Sequence, residues 1–150
     1  MDWNHYLAKG LVKTQRPDRR QIERQLLRAD KDLKTLRLVI KRDPEWASTI
    51  AYQAMLRLGR ALMFSHGYLP ADGQQHKTVV EITGKLLGRG HEALVDRFDR
   101  MRRSRNVFFY DSFDSDDQAH ARASLETAAK LSGAIKASLR KDDPQGDLPV

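Results

Sequence analysis

The sequence predicts an all-α protein, an antiparallel bundle of four to five helices. In several long segments apolar residues recur at alternating steps of four and three, the spacing of one buried helical face. No segment of any length alternates apolar and polar residues as a half-buried strand does, and no internal repeat is present. Breaks containing Pro or Gly separate the periodic segments, which gives helices packed on helices around one core.

Residues 1–17 are mixed in character and end in "QRP", which reads as a loosely held arm. Asp18 then caps a first long helix whose inner stripe is Ile22, Leu26, Ala29, Leu33, Leu36 and Ile40. Arg19, Arg20, Arg24, Arg28, Lys31 and Lys34 lie between these positions and make its outer face basic. In "KRDP" the next helix starts, with Asp43 as N-cap and Pro44 at the first helical position. That helix runs roughly from Pro44 to His66. Its inner face is dominated by small residues (Ala47, Ala51, Ala54, Ala61), so a neighbouring helix can approach closely. Gly67 stops it.

"YLPADGQQH" is a turn-rich loop, followed by a short helix from about His76 to Leu87. "GRG" at 88–90 breaks the chain, and a further helix starts near His91. "DSFDSDD" interrupts it with acid, and Asp114 or Ser115 is placed to cap a last helix reaching about Arg140. The inner stripe of that helix is Ala121, Leu125, Ala128, Ser132, Ile135 and Leu139. The expected organisation is an arm at 1–17, one helical domain at 18–140 and a flexible tail at 141–150.

The chain has 150 residues, of which 40% are hydrophobic and 31% charged, the balance of a soluble globular domain with a very polar exterior. There is no cysteine, which excludes disulfides, thiol catalysis and zinc–thiolate sites. No window approaches the ~20 apolar residues of a membrane span, and the opening residues lack the apolar run of a signal peptide. A cytoplasmic protein with no membrane partner is the expectation. The net charge of +7 comes from 27 Lys and Arg against 20 Asp and Glu. Such an excess suits an anionic partner, because clustered cations displace the counterions of a polyphosphate.

The excess is densest in "MRRSRNVFFYDSF", Met101 to Phe113, where three arginines run into four aromatics. The stripe of this helix is Leu94, Phe98, Met101, Arg105 and Phe108, so Arg105 occupies a position that the pattern assigns to a buried or interfacial residue. A buried charge requires a carboxylate, carbonyls or a bound phosphate. The alternative is an arginine whose stem packs on Phe108 and Phe109 while its head reaches water. Both readings stay open from phase alone. Arg97, Arg100, Arg102, Arg103 and Arg105 fall within nine residues, and arginine favours two-pronged contacts with phosphate. Asp96 and Asp99 are spaced to neutralise part of the set.

Taken together, "AYQAMLRLGRALMFSHGYLP" (Ala51–Pro70), "RNVFFYD" (Arg105–Asp111) and the Ala-rich last helix resemble a HEPN domain over roughly Gln21 to Leu139. The resemblance implies a helical bundle that commonly dimerises, often within a toxin–antitoxin or defence module beside a nucleotidyltransferase. In the ribonuclease members an arginine, a polar residue, a spacer and a histidine meet their counterparts from a second copy and cut RNA without metal. Carried across, Arg105 is the arginine, Asn106 the polar residue, and Tyr110 stands where the histidine would be. Arg102, Arg103 and Arg105 become the expected phosphate contacts.

The tyrosine matters chemically. Metal-free cleavage needs a base for the 2′-hydroxyl proton and an acid for the leaving oxygen. A phenol, with a pKa near 10, is about a thousandfold short of ionised at neutral pH, whereas imidazole titrates near 6.5. Arg105 with Tyr110 suits binding better than catalysis, so a weak or altered ribonuclease is the secondary expectation. Five residues also set Arg105 and Tyr110 about 140° apart around one helix, so a shared phosphate needs a second subunit or a loosened helix.

RNA or a nucleotide, a second copy of the chain, and a nucleotidyltransferase for which Tyr110 is a nucleotide acceptor are the partners this reading carries. A plain helical dimer closed by Arg105 is the alternative. No cofactor and no metal site is expected: His66, His76 and His91 do not share a ligand spacing on one element. His76, read as lying in the loop, is an alternative replacement for the missing base, with no sequence feature specific to that role. "GKLLGRG" follows no strand and is not a phosphate loop.

Overall fold

A computed structural model describes residues 1–71, 75–110 and 117–143, with the backbone alone for 105–110. Six helices and a two-stranded sheet lie among them: α1 (Trp3–Ala8), β1 (Val12–Thr14), α2 (Arg19–Val39), α3 (Pro44–Ser65), β2 (Tyr68–Pro70), α4 (Gln75–Leu87), α5 (Glu92–Tyr110) and α6 (Asp117–Asp142). The five long helices make the expected all-α bundle. No helix among the described residues is long and apolar enough to cross a membrane.

The caps fall where the side chains demand them. Asp18 accepts from Arg20 N at 2.9 Å to start α2, and Asp43 accepts from Trp46 N at 2.9 Å, with Pro44 following, to start α3. The four residues Ile40–Asp43 that join the two helices allow only an antiparallel hairpin of α2 and α3. α3 is the central helix and packs against α2, α4, α5 and α6. Its burial continues around most of its circumference, including Ala47, Ala54, Met55, Leu58 and Leu62. Such a helix is stable only when surrounded by other elements.

Polar locks fix the partners of this core. Asp32 of α2 is buried, and its carboxylate accepts from Arg57 Nε of α3 at 2.8 Å while Arg28 Nε stands at 3.3 Å. Removing Asp32 strands the half-buried Arg57 guanidinium. Asp32→Ala is therefore expected to lower the unfolding free energy by about 2–3 kcal/mol, read as a fall in the urea midpoint without a change in slope. Gln118 of α6 donates to the carbonyls of Ile40 at 3.0 Å and Lys41 at 3.2 Å, closing the C-terminal end of α2. Lys136 of α6 reaches Asp30 of α2 at 2.7 Å.

The expectation of a loose arm at 1–17 is corrected. Val12, Lys13 and Thr14 pair antiparallel with Pro70, Leu69 and Tyr68, and Gln15 N extends the contact to Gly67 O at 2.8 Å. Gly67 has φ +85°, and a Cβ there would stand 3.3 Å from that Gln15 carbonyl, so glycine lets the two segments close. Trp3 stacks on Tyr68 with ring centroids 3.9 Å apart, while Tyr6 and Val12 are buried. The small sheet leaves the all-α class as expected, and its three-residue strands are too short to show alternation in the sequence. At the other end, Asp143 is buried and accepts from Arg19 at 2.8 Å, which ties the first residues of the expected tail to the start of α2. Residues 144–150 and the proposed capping residues Asp114 and Ser115 lie outside the described residues.

Tyr6 donates to Glu81 of α4 at 2.7 Å, and Lys85 stands 4.9 Å over its ring. Burial first, and the Glu81 contact second, push the Tyr6 phenol above its usual value, and the contact with Tyr6 raises Lys85. A folded-state pKa raised in this way contributes stability that is complete below the ordinary value of about 10 and is lost as pH climbs through the folded value. Unfolding free energies taken at about pH 8 and about pH 11 are expected to fall in the native chain, and to fall less in Tyr6→Phe.

Candidate nucleic-acid interface

α5 carries the expected site, and its phase decides which side chains meet which neighbour. The turn before it holds Gly88 and Gly90 at φ +73° and +91°, and Gly90 N donates to Glu92 at 2.8 Å. Leu94 and Phe98 then point into the core, where Phe98 meets the ring of Tyr52 edge-on at 6.1 Å. Tyr52 is bonded through its hydroxyl to His76 Nδ1 at 3.0 Å. His76 is thus held between α3 and α4, and His66 lies tilted against Trp3 at 6.1 Å.

Around this anchor α5 divides by charge. Asp96, Asp99 and Arg102 line a groove of about 480 Å³ against α4, together with Lys77, Glu81 and Lys85. Asp99 holds two of the expected phosphate contacts, Arg102 at 2.9 Å and Arg103 at 3.1 Å. These are pairs three and four residues apart on one helix, the spacing that neutralises charge locally. Arg103 is well exposed, so this pairing is readily exchanged for another anion. Arg97, Arg100 and Ser104 face the other way, toward α6, across a smaller groove of about 250 Å³.

The side chains of Arg105, Asn106 and Tyr110 lie outside the described residues. The backbone that carries them is α-helical through Tyr110. A helix unbroken to that point keeps backbone positions 105 and 110 about 140° apart around its axis. The acidic segment 111–116 also lies outside the described residues.

Two features of this surface were not singled out in the sequence. The opposite charge of the two flanks of α5 is visible only once α4 and α6 are placed beside it. His120, on the first turns of α6, lines the α5–α6 groove with Arg97 and Arg100. In sequence it is one residue before the inner stripe of α6 and reads as surface. No three or more His, Asp or Glu side chains among the described residues form a group that could hold a metal ion.

A search of curated proteins finds no match to the chain. The family model described as "HEPN domain" matches residues 22–138, from the first buried residue of α2 to the last turns of α6. It covers most of the 150 residues and every helix of the bundle except the short α1. The chain belongs to the HEPN domain family.

Proposed function

We propose that this HEPN protein binds RNA as a homodimer, within a toxin–antitoxin or defence module. Arg105, Asn106 and Tyr110 of two copies line the cleft, and Arg102 and Arg103 sit at its rim. The observation that carries the reading is the concentration of arginine along the second half of α5, on a helix that stays regular through Tyr110. A regular helix separates Arg105 from Tyr110, and a two-fold partner brings the second residue from the other copy. Arg102 and Arg103 share one carboxylate, so the rim keeps a net positive charge.

The cleft binds more readily than it cuts. A guanidinium can stabilise charge on phosphorus, but a phenol at position 110 is a poor base at neutral pH. Wild-type cleavage of RNA is expected to be weak or absent. Sedimentation of the protein with a short labelled RNA tests the proposal: the label is expected to travel with a particle of twice the monomer mass. A monomer that leaves the RNA behind would overturn it.

The same phenol favours a second reading, in which the protein restrains a nucleotidyltransferase and Tyr110 accepts a nucleotidyl group. A phenolic oxygen attacking the α-phosphorus of a nucleoside triphosphate releases pyrophosphate and leaves a phosphodiester on the tyrosine. Intact-mass analysis after co-expression with an adjacent nucleotidyltransferase is then expected to show one added nucleotidyl group, absent from Tyr110→Phe.

A further inference from the structure

We propose that the outer face of α2 is a docking surface for an acidic amphipathic helix of a partner protein. The inference does not rest on RNA binding, and it concerns a basic face that the proposed cleft on α5 does not use. At 3.6 residues per turn, Arg20, Arg24, Leu27, Lys31, Lys34 and Leu38 fall within about 40° of one line along α2. All six are exposed, Leu27 to 50% and Leu38 to 82%. The buried stripe from Ile22 to Leu36 lies on the opposite side, where α2 packs against α3 and α6. The line is about 27 Å long, enough for about five turns of a second helix.

Charge and leucine together identify the occupant. Four cations lie on the line, and Glu23, about 60° to one side, is the carboxylate of α2 closest to it in angle. At the flanks, Arg19 is paired with Asp143 at 2.8 Å and Arg28 with Asp32 at 3.3 Å. A helix that sets Asp and Glu opposite the four cations is attracted along its whole length. A single exposed leucine requires no explanation. Leu27 and Leu38 are eleven residues apart, about three turns, so they return to the same angle with Lys31 and Lys34 between them. Apolar knobs separated by charged positions form the seam of a helix pair, in which the leucines drive contact and the charges select the partner.

The leucines also decide between classes of anion. RNA on this face satisfies the cations and leaves both leucines in water. Single-stranded RNA takes its apolar contacts from aromatic rings that stack on the bases, and the line carries none. A lipid surface requires a continuous apolar face, which two leucines among four cations do not make. An acidic helix with apolar residues eleven positions apart meets both kinds of side chain at once.

The test uses the full chain and a fluorescein-labelled helical peptide, with leucines eleven residues apart and glutamates filling the rest of that face. Anisotropy titrations at several salt concentrations compare wild type with two double variants at exposed positions, Leu27→Gln/Leu38→Gln and Lys31→Gln/Lys34→Gln. The peptide is expected to bind the wild type, and each double variant to weaken binding about tenfold or more. The lysine pair is also expected to flatten the salt dependence, and the leucine pair to leave it unchanged. Arg105→Ala is expected to bind the peptide as wild type does, which separates this face from the proposed cleft. No peptide binding by the wild type would overturn the proposal. So would equal affinity in the leucine variant, because charge alone then suffices. Oligouridylate binding that weakens in the lysine variant, with the peptide unbound, would overturn it by assigning the face to RNA. Peptide binding seen only in Asp114→Asn/Asp116→Asn would overturn it by making the chain's own acidic segment the occupant.

Discussion

Replacing Gly59 by valine is expected to leave little folded protein at ambient temperature. Gly59 lies on the buried side of α3 where α4 crosses it. A single Cβ there would stand 2.6 Å from Val79 Cγ1 and 2.7 Å from Thr83 Oγ1, both on α4. Neither contact can be absorbed by a flexible side-chain end, because both atoms are fixed to their β-carbons in a helix. Alanine gains about 1 kcal/mol of helix propensity over glycine. Overpacking costs about 1–3 kcal/mol per inserted group, so Gly59→Ala is expected to be destabilising by up to about 2 kcal/mol net. Valine adds two further methyl groups at the same crossing, and a loss of about 3 kcal/mol or more is a large part of a domain's total stability. Gly133 provides the control, since a Cβ there meets nothing within 4 Å in the middle of α6. Gly133→Ala is expected to raise stability by up to about 1 kcal/mol. Circular dichroism melts of the three variants check the ordering.

Arg105→Ala is expected to have the largest effect on function, a loss of RNA affinity of about tenfold or more with the fold intact. In the proposed two-fold dimer each cleft would contain this guanidinium, so one substitution would remove it from both. Charge-assisted contacts to phosphate are stronger than neutral ones, and two-pronged geometry is available to arginine alone among the cations. Arg105→Lys keeps the charge but not that geometry, and is expected to fall between alanine and wild type. Arg102→Ala is expected to do less, because its guanidinium is already shared with Asp99.

The helices were readable because their signals are local. Asp18, Asp43 and Pro44 announce helix starts through bonds three residues long or shorter, and the stripe from Ile22 to Leu36 is buried as its spacing requires. The N-terminal segment was not readable, because what holds it is remote. Tyr6 depends on Glu81, Trp3 on Tyr68, and Val12 on Pro70, none of which leaves a periodic trace. The site divides in the same way. Neutralisation of Arg102 and Arg103 by Asp99 follows from spacing on one helix, and it was legible. His120 joins Arg97 across two helices, and only their crossing makes it part of a groove. His76 looked like a loop histidine, but it belongs to α4 and is bonded to Tyr52.

Arg105 is proposed to bind RNA rather than to close a purely structural dimer. Titration of one labelled single-stranded RNA with wild type and with Arg105→Ala, both confirmed dimeric and folded, tests it directly. The wild type is expected to bind tightly and in a salt-sensitive way, and the variant about tenfold or more weakly. Equal affinity of the two dimers would contradict it.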